Sequence, residues 1–248
     1  PVVIKFIDEI KDLNDQEIEA LDILKKHDSN YSKEAVAPLI FESFYIMLGK
    51  NMMKDEMPEE LYNEFKSKDL LINYLIDKVI KTQTCLLCDD INTEVKETFG
   101  DMVKISFRET IKEFEKEHGK SITKTSWGDW HKILFQHPVG KNAMMNFVFN
   151  LNREYAVGGS YHTVSPYSYD YSVSFIANHG ASQRHIYNTA DFDQSFTVIP
   201  TGVSDIPKSP HYCDQTEMYI KGEYHDDYTG IKKVKENAVY EAVFSPKQ

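Results

Sequence analysis

Apolar residues recur at helical spacing through the first 120 residues, and that rhythm stops near residue 121. The change confines the chain to folds that assemble helices first and strands afterwards. In EIEALDILKK, Ile18, Leu21 and Leu24 share one face, and Asn14 or Asp15 can cap the start. KEAVAPLIFESFYIMLGKNMM puts Val36, Ile40, Phe44 and Met47 on one face, with Pro38 in the first turns, where a missing N–H is tolerated. Pro58 reads as the first-turn proline of PEELYNEFK. DLLINYLIDKVI follows, then a cysteine turn, then NTEVKETFGDMVKISFRETIKEFEKEHG, which Gly119 closes. The opening PVVIKFIDEI reads as part of a helix or a truncation edge.

Beyond residue 121 the pieces YHTVSPYSYD, YSVSFIA, RHIYNTA and QSFTVIPTG are rich in β-formers. Gly158-Gly159, Gly180 and Pro200 separate them. CDQTEMYIKGEYHD reads as helical, IKKVKENA as a short helix and VYEAVFS as a last strand. The expectation is an α+β fold, with a mainly helical segment at 1–120 and a β-rich segment at 121–248 that carries a C-terminal helix. No repeat and no proline- or glycine-rich linker divides them.

With 41% hydrophobic and 12% aromatic residues in 248, the chain can bury a sizeable core. Its formal net charge of −11 repels phosphate backbones and anionic lipids, so neither nucleic acid nor a membrane surface is expected as a partner. No apolar run approaches the length of a membrane span. The chain begins without Met, which suits a processed or truncated piece, so its start says nothing about targeting. Three cysteines cannot close a disulfide framework. Cys85 and Cys88 have C-x-x-C spacing, but no second pair supplies zinc ligands and no strand precedes them, so they read as helix-end or loop cysteines.

The segment KSPHYCDQTEMYIKGEYHD (208–226) holds Ser209, His211 and Asp214 within six residues. A triad needs Ser Oγ on one imidazole nitrogen and the carboxylate on the other. Neighbours this close rarely converge, and no G-x-S-x-G accompanies them. Ser209 as N-cap, Pro210 at the first position and an acid soon after suit a helix start better. His185, His211 and His225 lie among acids, with HDD at 225–227, yet no H-E-x-x-H or twelve-residue calcium loop is present, and a solvated acidic turn is the simpler reading. Gly158-Gly159 lacks the G-K of a phosphate loop. Pro1 could act as a base only in a far shorter kind of protein, and is not assigned that role.

Four segments, in order, resemble the penicillin acylases, N-terminal nucleophile hydrolases of linear amides. WGDWHKILFQHPVG (127–140) is similar to the family's Trp-Gly-x-x-His…His-Pro-Leu-Gly segment. VGGSYHTV (157–164) resembles its Val-Gly-Gly-Asp…Thr-Val turn. GASQRHIYNTADFDQSFTVIPTG (180–202) resembles its Gly-Pro-Ser-x-Arg and Val-x-Pro-x-Gly strands. SPHYCDQTEMYIKGEYHD (209–226) resembles its closing Ser-Pro-His-Tyr-x-Asp-Gln…Gly-Glu-Tyr-His signature. The helical half matches more loosely, through 32–47.

The resemblance implies the C-terminal portion of an αββα sandwich, in which the strands at 182–188 and 195–201 enter the central sheets. It also implies a precursor that cuts itself, leaving an N-terminal Ser that is nucleophile and, through its amine, base. That Ser, the oxyanion donors and their Arg would lie upstream, so no catalytic, cofactor or metal residue is assigned to this chain. The signature residues Arg184, Asn188, Ser209, Pro210, His211, Tyr212, Asp214 and Gln215 are expected to be structural. Arg184 needs an acid or carbonyl partner, Asn188 falls where related strands often carry an acid, and Asp214 and Gln215 tie the helix start to its loop. The implied partners are the α chain, the N-terminal part of the β chain and a small N-acyl amide. The resemblance allows a calcium ion in the whole protein but none in this segment, and it is compatible with an extracytoplasmic location.

Ser160-Tyr161-His162, Val203-Ser204-Asp205 and Tyr219 (where a Trp is usual) depart from the family pattern and leave the substrate open. Two alternatives remain beside the acylase segment: a relative that has lost catalysis and binds or scaffolds, and a self-contained hydrolase using Ser209, His211 and Asp214. A sandwich fragment would expose sheet edges and apolar patches, so self-association is expected of the isolated chain.

Overall fold

A computed structural model describes residues 2–66, 69–82, 84–161, 163–170 and 174–246; Pro1 and His162, both considered above, lie outside them. The chain forms two compact units, Pro1–Leu134 with Glu154–Gly180, and Phe135–Arg153 with Ala181–Gln248.

The first unit opens with six helices: α1 (Val2–Asp8), α2 (Asp15–Lys26), α3 (Ala37–Asn51), α4 (Glu59–Phe65), α5 (Asp69–Thr82) and α6 (Phe99–His118). Their boundaries follow local chemistry. Asn14 caps α2: its side chain accepts from the Glu17 amide, and the Glu17 carboxylate accepts from the Asn14 amide in return. The buried face of α2 carries Ala20, Leu21 and Leu24, whereas Ile18, expected on it, is exposed. Pro38 sits in the first turn of α3. Pro58 is the N-cap of α4 and not its first helical residue.

α6 starts at Phe99, later than its apolar pattern suggested, because Thr98 and Asp101 form a capping box there. Asp90 and Thr93 tie up residues 90–97 in turns. Gly119 ends α6 in the left-handed conformation at φ 62°. Cys85 and Cys88, in the turn after α5, are joined as a disulfide, and Cys88 is fully buried.

Leu39, Ile40, Phe44 and Leu48 of α3 and Met102, Val103, Phe107 and Ile111 of α6 are buried in one core, with Phe44 and Phe107 edge to face at 6.2 Å. A short α7 (Trp127–Trp130) then leads into β1 (Lys132–Phe135). A four-stranded sheet runs in the order β2 (Arg153–Ala156), β1, β4 (Ile176–Gly180), β3 (Tyr167–Tyr169). β1 and β4 are parallel, with Lys132 opposite Ile176. β3 is antiparallel to β4, with a bulge between Ser168 and Tyr169.

The second unit holds α8 (Ala143–Phe149), a three-stranded antiparallel sheet in the order β5 (Arg184–Ile186), β6 (Phe196–Val198), β7 (His225–Asp226), and the helices α9 (Thr216–Lys221) and α10 (Ile231–Asn237). α8 is a helix inside the region read as β-rich; Asn142 nucleates it by accepting from the Met144 and Met145 amides.

Two expectations fail here. The last strand, VYEAVFS, does not form: residues 239–246 are irregular and exposed, because no sheet edge among the described residues takes up their backbone groups. Ser209 is not a helix N-cap and Pro210 is not a first helical residue, since α9 begins at Thr216 with Gln215 at its cap. The fold is α+β, and among the described residues no helix is long and apolar enough to cross a membrane.

Candidate functional site

The closing signature is joined to the end of β6 by main-chain and side-chain bonds. The Gln215 amide donates to the Thr201 carbonyl at 3.0 Å, and the Ser204 amide to the His211 carbonyl at 3.1 Å. The Gln215 side-chain oxygen accepts from the Ile199 amide at 3.0 Å and lies 3.2 Å from His225 Nε2. Gln215 thus completes the hydrogen bonding of β6 where the strand stops and its partners end. Gly202 permits the approach: a Cβ there would stand 2.1 Å from the His211 carbonyl oxygen. Two sequence motifs, Val-x-Pro-x-Gly and Ser-Pro-His-Tyr-x-Asp-Gln, are therefore the two sides of one loop junction.

His211 Nδ1 lies 2.8 Å from Asp214 Oδ2, closer than their spacing suggested, because the turn at 209–212 folds the imidazole back over Asp214. Ser209 does not complete a triad. Its oxygen accepts from the His211 amide at 3.1 Å, a turn contact, and among the described residues no bond joins its hydroxyl to the imidazole. Both His211 and Asp214 are solvent-exposed, so a charge developing there would be screened by water. Tyr212 donates to the Leu151 carbonyl at 2.7 Å, and burial pushes its hydroxyl pKa up.

Arg184, on β5, finds a carbonyl partner. Its Nη1 donates to the Tyr219 carbonyl at 2.7 Å, and its guanidinium lies 4.1 Å from the centre of the Tyr219 ring. The fully buried Tyr219 donates its hydroxyl to the Ala181 carbonyl at 2.6 Å. Asn188 stands just past β5, where its side chain accepts from the Ala190 amide in a local turn. His185 Nδ1 is 3.6 Å from Asp227. Among the described residues no three His, Cys, Asp or Glu side chains gather as a metal site, so none is assigned to the calcium ion that the resemblance allows in the whole protein.

A second junction lies in the first unit. The segment 31–35, which turns at residues 33 and 34, runs past both the Trp-Gly and the Gly-Gly motifs. Trp127 and Gly128 donate from their amides to Ala35 and Lys33, and Gly159 donates to Tyr31, each at 2.7 Å. Trp127 Nε1 donates to the Gly159 carbonyl at 2.8 Å. A Cβ on Gly128 would meet the Lys33 carbonyl at 2.9 Å, and one on Gly158 the Tyr31 carbonyl at 2.5 Å. These glycines serve close backbone approach, not a phosphate.

His131 stacks on Trp127 at 4.5 Å and is fully buried. Its Nδ1 is 2.8 Å from the Phe175 carbonyl, which can only accept, so Nδ1 carries the proton. Burial lowers its pKa to about 4, against the carbonyl's opposing effect, and the ring is neutral near pH 7.

Sequence reasoning missed Glu42. It is a buried carboxylate on α3 that accepts from the Ser160 hydroxyl at 2.9 Å and the Tyr169 hydroxyl at 2.7 Å. The available signal was an acid inside the apolar run LIFESF. The turn at 160–161 is thereby anchored.

The family model described as penicillin amidase matches residues 2–236. Penicillin acylase 2 proenzyme of Pseudomonas sp. (strain SE83) is 30% identical over 115 residues, 44% of this chain and 14% of that protein. The acyl-homoserine lactone acylase QuiP of Pseudomonas fluorescens (strain Pf0-1) is 23% identical over 213 residues, 83% of this chain and 25% of that protein. The chain thus spans a quarter or less of the length of these relatives. Thermostable penicillin G acylase from Alcaligenes faecalis aligns with all of this chain and 46% of its own, with a TM-score of 0.56 at 12% identity, which is a likeness of fold. The match across nearly the whole chain, with relatives that are acylases, establishes that this protein belongs to the penicillin amidase family of amide hydrolases.

Proposed function

We propose that this chain is the C-terminal part of the larger chain of a self-processed acylase, where it scaffolds the hydrolysis of linear N-acyl amides and is inactive by itself. The observation that carries this reading is the use of the signature residues. Arg184, Tyr212 and Gln215 spend their polar atoms on backbone groups of the second unit, and Ser209 is held by its own turn. The small share of each relative that the chain spans supports the same reading.

The nucleophile of this proposal is an N-terminal Ser upstream. Its hydroxyl oxygen attacks the amide carbonyl carbon while its own amine takes the proton and passes it to the leaving nitrogen. The C–N bond breaks, an acyl-serine ester remains, and water hydrolyses it to the acid. The substrate is a linear amide, of the kind for which a penicillin acylase and an acyl-homoserine lactone acylase are named.

The test is expression of the full reading frame. Mass spectrometry should show a cut that exposes an N-terminal Ser, and the processed protein should release acid from a panel of N-acyl amides. The 248-residue chain alone should release none. Inactivity of a processed protein with an intact N-terminal Ser would overturn the proposal. So would hydrolysis by the isolated chain that disappears with Ser209→Ala.

A further inference from the structure

We propose that Cys85 is a site of reversible exchange with small thiols, and that Cys88 is the partner that closes the bond again. The two are joined as a disulfide in the turn between α5 and α6, three positions apart. Their surroundings differ. Cys88 is fully buried in the core, whereas Cys85 is partly exposed and lines a cavity of about 540 Å³. Phe6 of α1, Val79 and Ile80 of α5 and Phe99 of α6 line the same cavity. An incoming thiolate must reach the sulfur that it attacks, so attack falls on Cys85 and Cys88 is the sulfur that leaves.

The fold does not depend on this bond. A bridge across so short a loop removes little entropy from the unfolded chain. The turn that follows is held separately: Asp55 accepts from the Ile91 amide and Glu97 from the Asp90 amide, each at 3.0 Å. A freed Cys88 thiol stays among apolar side chains, where cysteine packs as a small hydrophobe. Neither cysteine opens a helix, since α5 ends at Thr82 and α6 begins at Phe99. No helix N-terminus is placed to stabilise a thiolate, so the pair is a target of thiols and not a catalyst of exchange.

The thiolate sulfur of the small thiol bonds to Cys85 Sγ as the bond to Cys88 breaks. Cys88 leaves as a thiolate and takes up the proton that the incoming thiol lost. A second thiol then attacks the small thiol's own sulfur in the mixed disulfide, which frees Cys85 and releases the small disulfide. Two thiols are oxidised and the protein disulfide is reduced. In the reverse direction Cys88 attacks Cys85 Sγ and expels the small thiol, an intramolecular step.

Glutathione is the probe, and the 248-residue chain carries Cys213→Ser to remove the third thiol. Oxidised glutathione is added to the Cys88→Ala and Cys85→Ala variants, and the mixed disulfide is followed by intact mass and peptide mapping. Cys85 in the first should react on the order of tenfold faster than Cys88 in the second, and urea should abolish the difference. Reduced glutathione should open the disulfide of the chain that keeps both cysteines without loss of circular dichroism. Its acid-quenched intermediate should carry glutathione on Cys85. This second arm changes no core residue, so the test stands even where Cys88→Ala does not fold. Equal rates in the two variants, glutathione on Cys88, a disulfide that opens only in urea, or unfolding on reduction would each overturn the proposal.

Discussion

Tyr169 donates its hydroxyl hydrogen to the buried carboxylate of Glu42 at 2.7 Å, across a sequence separation of 127 residues. With the Ser160 hydroxyl at 2.9 Å, it fastens the bulged end of β3 and the turn at 160 to the middle of α3. A carboxylate in an apolar setting costs stability unless such donors satisfy it. Glu42→Ala removes the acceptor and leaves two donors stranded, so it should cost about 3 kcal/mol in urea unfolding. Tyr169→Phe should cost about 1 kcal/mol, and the double variant less than the sum of the two.

His131 makes stability depend on pH below neutrality. Its folded pKa of about 4 lies beneath the 6.5 of an unfolded histidine. Between those values the unfolded chain binds a proton that the folded chain does not, so stability falls as pH drops from 6.5 and levels off below 4. The loss should be of order 3 kcal/mol, at 1.36 kcal/mol per unit. Urea midpoints across this range should show it, and His131→Asn should flatten the slope in that window.

The Arg184 and Tyr219 pairing predicts that the position will not accept lysine. Arg184→Lys keeps the charge but loses the planar contact with the ring and the aimed N–H, and should cost about 1–2 kcal/mol in thermal unfolding. Tyr219→Phe deletes the bond to Ala181 and should cost about 1 kcal/mol. If Arg184 served chemistry instead, Arg184→Lys would change turnover with little change in melting.

Gly202 and Gly119 separate two reasons for glycine. A Cβ at Gly202 would collide with the His211 carbonyl, so Gly202→Ala should cost about 2–3 kcal/mol and loosen the loop junction. Gly119 has φ +62° with open space around it, so Gly119→Ala should cost only about 1 kcal/mol of backbone strain. Denaturation of the two variants side by side checks the order.

The isolated chain should self-associate. Phe147 on α8 is 88% exposed and Phe244 in the C-terminal tail 95%. Sedimentation should show species larger than a monomer that shrink with dilution, and Phe147→Ser should reduce them.

Much of the local structure was legible in the amino-acid order. Helical spacing located α2, α3, α5 and α6, because a face that must be buried recurs every turn. Asn14, Thr98 and Gly119 mark helix ends through bonds to their own neighbours, which depend on few residues. The strands around Arg184 and Phe196 were visible for the same local reason. Family membership was legible too, since four motifs retain their order.

What the motifs do was not. Ser209, Pro210 and the acids that follow suit a helix start in sequence, yet a turn forms there and α9 begins at Thr216. Main-chain bonds to residues 201–204 outcompete the local helix. The final VYEAVFS has strand composition but no edge among the described residues to pair with, and a lone strand cannot satisfy its own backbone. Glu42 among apolar neighbours, the glycines at 128 and 158, and the pairing of Gln215 with β6 acquire meaning only when segments distant along the chain meet. Sequence by itself determined the periodic elements, their caps and the family, because each rests on neighbouring residues. Tertiary structure alone decided which polar groups are buried and what satisfies them, because hydrogen bonds between remote segments exist only once the chain has closed on itself.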